Sequence, residues 1–311
     1  MKTKRWTYLS LIMMAFFWGS AFAGSKLAVN AVPPEVAAFF RFGLGALFML
    51  LVLWLGKGEE RKLPRSHWRQ VILLGLIGVA AYNLLLFSAL YFSQASDGSM
   101  IIPTTSPLIT TVLAVLFLKE KLMKKQVLGL VLACFGSLVF FSQMVVGQFS
   151  GERLFGDFLF LLAALCWSTY TLVGNRVLKQ LDPFPVTAYA MLTGALVLGI
   201  ISLPKMGEIS WSSLSVGFWT LQIYLALFPS VLANWFYYRG VQSIGASGSA
   251  IFMYIVPVSG ILLAILLLKE SFTVVQIVGS FLMVLGVWFV SQKQKTPVLR
   301  SEDISLQQKS S

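Results

Sequence analysis

Nine stretches of this chain run for 18 to 30 residues without one charged side chain. They are 6–25, 70–96, 98–118, 126–151, 158–175, 183–204, 209–238, 240–268 and 271–292. A tenth, 36–56, is broken only by Arg41. A helix needs about 20 apolar residues to cross the hydrocarbon core of a bilayer, so the pattern predicts ten transmembrane helices. Charged residues make up 12% of the chain, roughly half of what a soluble domain carries. The loops between the runs leave no room for a sizeable soluble domain. The runs do not alternate apolar with polar residues, as the wall of a membrane barrel must. Helices are the remaining way to satisfy a backbone in lipid, which makes this an all-α membrane protein. The first run is apolar with a basic flank, like a signal peptide, but has no clear small-residue cleavage site and is long for one. It reads as a retained helix.

The net charge of +12 is topological and does not point to nucleic acid, because basic residues concentrate in cytoplasmic loops. With ten spans and the N-terminus inside, 19 of the 24 lysines and arginines fall on the inner side. Both termini are then cytoplasmic. The polar tail 293–311 reads as disordered. Cys134 and Cys166 lie inside apolar runs as small hydrophobes, and the lone His67 sits in a basic loop. No spacing suits a metal, a nucleophile or a phosphate loop, so neither a cofactor nor an enzyme activity is expected.

The segment LFLKEKLMKKQVLG at 116–129 returns as LLLKESFTVVQIVG at 266–279. Earlier in the chain Trp18 aligns with Trp167, Pro34 with Pro183 and Gly45 with Gly194, at an offset of 149. Further on, Ser93, Gly98, Pro107, Glu120 and Gly136 align with Ser243, Gly248, Pro257, Glu270 and Gly286, at an offset of 150. The chain is therefore organised as a five-helix repeat over 1–144, a second over 145–292, and the tail. Five is odd, so the second copy enters the membrane upside down. Lys121, Lys124 and Lys125 have no basic counterparts in the second copy, as expected where the loop changes sides. Inverted repeats place a substrate site near the midplane between the two halves.

FWGSAF at 17–22, RFGLGAL at 41–47 and the duplicated Pro…LKE segment resemble the EamA family of the drug/metabolite transporter superfamily. The resemblance covers about residues 8–292. It implies a ten-helix permease of the bacterial inner membrane, a cavity lined by helices 1, 3, 4, 6, 8 and 9, and export of amino acids or related metabolites. The partners are then a small-molecule substrate and the lipid bilayer, with the protein a monomer or a homodimer.

The polar interruptions of the spans are the candidate binding residues. Arg41, eight residues into its helix, lies about 10 Å in from the outer end at 1.5 Å per residue. It either snorkels or pairs with Glu35 or a carbonyl, or it anchors a substrate carboxylate. Lys26 reads as an interfacial anchor. Trp18 and Trp167 sit mid-helix at equivalent positions and suit core and cavity wall equally; Thr171 follows the second. Tyr82, Asn83 and Tyr91 interrupt the third run, and Asn234, Tyr237 and Tyr238 the eighth. Amides in hydrocarbon face a partner helix or a cavity. Pro103, Pro107 and Pro257 predict kinks in helices 4 and 9, with Thr104, Ser106 and Tyr254 beside them. Glycines seven apart, Gly129 with Gly136 and Gly279 with Gly286, predict close helix packing. Every carboxylate falls at a helix end, so no buried proton relay is visible. Proton-coupled export would carry the proton with the substrate or through Glu35 or Asp97; otherwise the protein is a facilitator or exchanger. An exporter of drugs or lipophilic cations is the alternative reading, ranked second because its pocket wants a buried carboxylate. The inverted topology predicts that cysteines placed at Lys125 and Ser271, in a background lacking Cys134 and Cys166, react with impermeant thiol reagents from opposite faces of the membrane.

Overall fold

The computed structural model describes residues 2–55, 63–118, 124–146, 150–177, 181–237, 239–240 and 251–290. Among them are ten helical segments and no strand. In chain order they are α1 (Lys2–Val29), α2 (Pro34–Leu55), α3 (68–92), α4 (Ala95–Leu118) and α5 (Lys124–Val146). The second half holds α6 (Gly151–Val177), α7 (Pro183–Met206), α8 (216–237), α9 (251–268) and α10 (Val274–Val290). Six of them, α1, α2, α3, α6, α7 and α8, are long and apolar enough to cross a membrane. The apolar parts of α9 and α10 are shorter, 255–268 and 274–289. Residues 241–250 of the run expected to form the ninth span lie outside the described residues, and so does the tail.

The helices begin where the sequence supplies caps. The Asp182 side chain accepts from the Phe184 backbone N–H at 2.9 Å, with Pro183 in the first turn of α7. Ser215 does the same for Phe218 at 3.2 Å at the start of α8. Both use a side-chain oxygen to satisfy a backbone donor that the first turn leaves free.

Apolar and polar residues are distributed as lipid demands. Trp54, Leu138, Ile200 and Phe281 are exposed, whereas Arg41, Asn83, Asp97, Asp157 and Gln222 are buried. In water such an exterior would drive aggregation; against acyl chains it costs nothing.

The most extensive helix pairings are α5 with α10, α2 with α7, α1 with α9, α4 with α6, α3 with α6 and α3 with α7. α8 packs on α1 and α2. Exchanging each helix for its counterpart five places along the chain maps this set onto itself. The α5–α10 crossing is set by glycine. A Cβ on Gly279 would lie 2.6 Å from the Phe140 backbone nitrogen, one on Gly136 2.7 Å from that of Met283, and one on Gly286 2.7 Å from the Gly129 carbonyl oxygen. The close packing expected of these glycines is what the structure has. Gly279→Ala should therefore destabilise the protein by about 1–3 kcal/mol through overpacking, read as a lowered melting temperature in detergent. Gly151→Ala, where a Cβ meets nothing within 4 Å, should change stability by less than about 0.5 kcal/mol.

Candidate functional site

Helix α3 widens from α to π geometry over Gly75–Ala81, and α8 does so over Ala226–Leu232. The two segments lie 151 residues apart, at the same place in each half. Single π turns inside α-helices recur at functional sites. In α8 part of the cause is visible. Pro229 has no N–H to return to the Leu225 carbonyl, and the Ser230 hydroxyl donates to that carbonyl instead, at 3.0 Å. Each widened turn is then closed by an asparagine one turn on. Asn83 Nδ2 donates to the Val79 carbonyl at 2.8 Å, and Asn234 Nδ2 to the Ser230 carbonyl at 2.6 Å. The two amides serve their own helices at equivalent positions; they are not glue between helices.

Arg41 meets this feature from α2. Its Nε donates to Ser230 Oγ at 3.1 Å and an Nη to Ser25 Oγ at 3.0 Å, tying α1, α2 and α8 together. The guanidinium carbon lies 5.0 Å from the Phe42 ring centroid and 6.0 Å from that of Phe87 on α3. The residue is 6% exposed, and no carboxylate among the described residues pairs with it. Glu35, the partner considered from sequence, instead borders a recess of about 370 Å³ with Asn30, Tyr91 and Lys205. Arg41 is thus neither snorkelling nor ion-paired: it is a buried cation held by two hydroxyls and two aromatic faces.

Aromatic side chains line the neighbouring helices. Trp18 Nε1 donates to the Pro229 carbonyl at 3.2 Å, inside the widened turn of α8, and its ring lies 5.6 Å from that of Tyr237. Trp167 packs at 5.3 Å against Tyr82 and at 5.6 Å against Tyr170. Ser20 Oγ and Tyr224 Oη are hydrogen-bonded at 2.7 Å. The Asn83 carbonyl oxygen is buried without a partner, and so are both polar atoms of the Gln222 amide.

The other sequence candidates divide. Tyr91 is 56% exposed at the end of α3 and borders the recess with Glu35. Thr104 and Ser106 are buried, but their hydroxyls bond back to the Met100 and Ile102 carbonyls, while the Ser106 carbonyl accepts from Ser168 on α6 at 2.9 Å. Thr171 is exposed and bonds to the Trp167 carbonyl. Pro103 and Pro107 sit within the continuous helix α4, and Pro257 lies just after α9 passes from a 3-10 turn, Ile251–Tyr254, to α-helix. Tyr238 and the side chain of Tyr254 lie outside the described residues.

Sequence reading puts Asp97 and Asp157 at helix ends and makes Asp97 a proton route if export is proton-coupled. It does not bring together the second polar cluster, found where α1 and α3 end and α4 and α6 begin. Arg153 holds Asp97 bidentately at 2.9 Å on each arm. Ser93 Oγ lies 3.0 Å from Asp97 Oδ2 and 2.5 Å from Asp157 Oδ1. Lys26 Nζ donates to the Leu90 and Ser93 carbonyls, capping α3. Glu270 accepts from the backbone N–H groups of Ala95 and Ser96 at 2.9 Å each. These carboxylates are at helix ends, as the sequence has them, yet Asp97 and Asp157 are fully buried. Only the packing of several helix ends shows that.

A lipid-compatible exterior around a polar, aromatic interior defines a multi-pass protein of the cell membrane. The chain belongs to the EamA-like transporter family, whose pattern matches it twice, over residues 5–142 and 154–292. It is 31% identical over 299 residues to the uncharacterized transporter YyaM of Bacillus subtilis (strain 168), covering 96% of this chain and 97% of that one. An uncharacterized transporter of Archaeoglobus fulgidus is 25% identical, covering 94% and 100%. The WAT1-related protein At3g02690, chloroplastic, of Arabidopsis thaliana is 26% identical, covering 92% and 69%. A solved crystal structure shares the fold with a TM-score of 0.64 at 19% identity, over 91% of this chain and 95% of that one.

Ser230 carries two loads, the Leu225 carbonyl and the Arg41 guanidinium. Ser230→Ala should cost about 1–3 kcal/mol of stability, the penalty for leaving buried polar groups unmet. Thr171→Ala, at an exposed hydroxyl, should cost under about 0.5 kcal/mol. Melting temperatures of the two variants in one detergent compare them directly.

Proposed function

We propose that this protein is a secondary transporter that exports small metabolites, amino acids or closely related zwitterions first, by alternating access between two inverted five-helix repeats. In this reading all ten helices cross the membrane and both termini are cytoplasmic. The self-matching set of helix pairs and the paired π turns support the duplication. The five-helix unit and the lysines lost from the second loop support the inversion. Rocking one repeat against the other would open the space around Arg41 to each side in turn.

One observation carries the substrate class: Arg41 is a buried cation with no carboxylate partner among the described residues. A buried, unpaired charge is costly, and an arriving carboxylate would relieve it through a bidentate bond that the fork of Arg is built to make. The unpartnered Asn83 carbonyl oxygen is an acceptor suited to an ammonium group. Trp18, Tyr82 and Trp167 offer apolar faces for a side chain. The same charge repels a lipophilic cation, and a repulsive element of this kind sets specificity against such substrates.

The test is a melting-temperature screen of the purified protein against amino acids, organic anions and lipophilic cations. A ligand at 100 times its Kd stabilises by about 2.7 kcal/mol, so a binder is readily seen. Amino acids should raise the melting temperature of the wild type, and Arg41→Ala should lose the shift while still melting cooperatively. Right-side-out vesicles loaded with the binder should then show faster efflux with the wild type than with Arg41→Ala. Stabilisation by lipophilic cations alone would move the assignment to the drug-export alternative.

A further inference from the structure

Among the described residues, the cluster at the α3–α4 turn holds one more carboxyl than its cations can balance. Lys26 reaches it from α1, Asp97 from α4, Arg153 from the same helix as Asp157, and Glu270 from the turn after α9. Two cations and two of the carboxylates cancel, which leaves Asp157. It is 2% exposed, and its Oδ2 has no hydrogen-bond partner.

Hydrogen counting gives the same answer independently. Ser93 Oγ contacts a carboxyl oxygen of both Asp97 and Asp157, but a hydroxyl has one proton to donate. Asp97 is the ionised member, since both its oxygens accept from Arg153. With Asp157 also ionised, one of the two contacts would set lone pair against lone pair. The set closes when Asp157 Oδ1 carries the proton and donates to Ser93 Oγ, which donates to Asp97 Oδ2. The 2.5 Å separation is in the range of a short O–H···O bond and too short for two oxygens sharing a metal cation. Gly156 makes the approach possible, because a Cβ there would lie 2.6 Å from the Ser93 Cβ and 2.9 Å from its backbone nitrogen.

The arrangement is one-sided. At the repeat offsets of 149 and 150, Asp157 corresponds to Tyr8, Asp97 to Ser247 and Lys26 to Asn175. The repeat fold therefore does not require it, and the opposite end of the bundle lacks both acids.

We propose that Asp157 is a proton-binding site that latches this end of the bundle. Closing the end takes up one proton from water onto Asp157. Opening it hydrates the carboxyl, breaks the Oδ1–H bond and returns the proton to water as hydronium, leaving a carboxylate that the solvent now stabilises. The closed form binds one more proton than the open form, so raising the pH favours opening. Its consequence for transport rests on the alternating-access reading above; the proton site itself does not.

The test uses the full chain in nanodiscs with no substrate. Infrared difference spectra across a pH titration should show a carboxylic-acid C=O band that persists at neutral pH and is missing in Asp157→Asn. The stability contribution of an acid kept protonated in the closed form is complete at low pH. It is lost as the pH rises above the ordinary carboxylate range. The wild-type melting temperature should therefore fall with rising pH, and that of Asp157→Asn should stay nearly level, its amide replacing the O–H donor. Should Asp157→Asn fail to fold, Ser93→Ala serves instead: it removes the bridge and should shift the acid band. A neutral-pH spectrum with no acid band in the wild type, or a pH dependence equal in wild type and variant, overturns the proposal. So does stabilisation by sodium at fixed pH that Asp157→Asn abolishes, which would make the site one for a metal cation. None of these readouts needs transport, so a failed efflux assay would leave the result standing.

Discussion

A backbone carbonyl that loses its helical partner in hydrocarbon has no water to turn to. That constraint governs the centre of this protein, because two of its helices widen to π geometry. The repairs are local: Asn83 and Asn234 each return an amide to a carbonyl of the widened turn, and Ser230 fills the carbonyl that Pro229 releases. One repair is shared. Ser230 Oγ also accepts from Arg41, so the geometry of α8 and the position of the buried cation are linked through a single hydroxyl. A ligand that draws on the guanidinium therefore acts on the widened turn as well, without any longer chain of contacts.

The duplication separates scaffold from chemistry. What recurs in both halves is mechanical: the π turns, the asparagines that close them, the mid-helix tryptophans and the glycine crossing of α5 with α10. What does not recur are two buried charged residues, Arg41 and Asp157. Arg41 corresponds to Ala190 and Asp157 to Tyr8. A pseudo-symmetric frame can take up two mirror-related shapes of similar energy, while unmatched charges make the two ends respond to different things. In the proposed reading Arg41 offers a carboxylate site, and Asp157 gives one end a dependence on protons.

Much of the scaffold was legible because it is written in spacing. Charge-free runs gave the helices, and glycines seven apart gave the close crossing. The facing of residues inside an unbroken apolar run was not legible. Tyr91 reads like Tyr82 in sequence, yet one is exposed at a helix end and the other packs on Trp167. Thr104 and Ser106 look like ligands beside two prolines, but each hydroxyl satisfies a carbonyl one turn back, the ordinary fate of a hydroxyl in an apolar helix. The buried carboxyls were missed for a different reason. A helix end is normally wet, and Asp97 and Asp157 are dry only because Ser93, Gly156 and Arg153 converge on them.

The repeated Lys-Glu pair has its physical account at the same end of the molecule. Lys269 adopts a left-handed backbone, φ 57°, a conformation that side-chain-bearing residues reach at some cost. It ends α9 and turns the chain so that Glu270 reaches the first turn of α4, where two backbone N–H groups and the positive end of the helix dipole receive a carboxylate. The contact joins the turn after α9 in one half to the start of α4 in the other. That explains why Lys and Glu survive in the second copy while the three lysines after them do not. The glutamate holds two halves together, whereas in the proposed inverted topology those lysines relate only to the side of the membrane they face. In the proposed alternating access α4 must part from α9 at this end, where the Glu270 cap, the Asp97–Arg153 pair and Asp157 lie together. Once water enters, all three lose their advantage together, so the end behaves as a single latch.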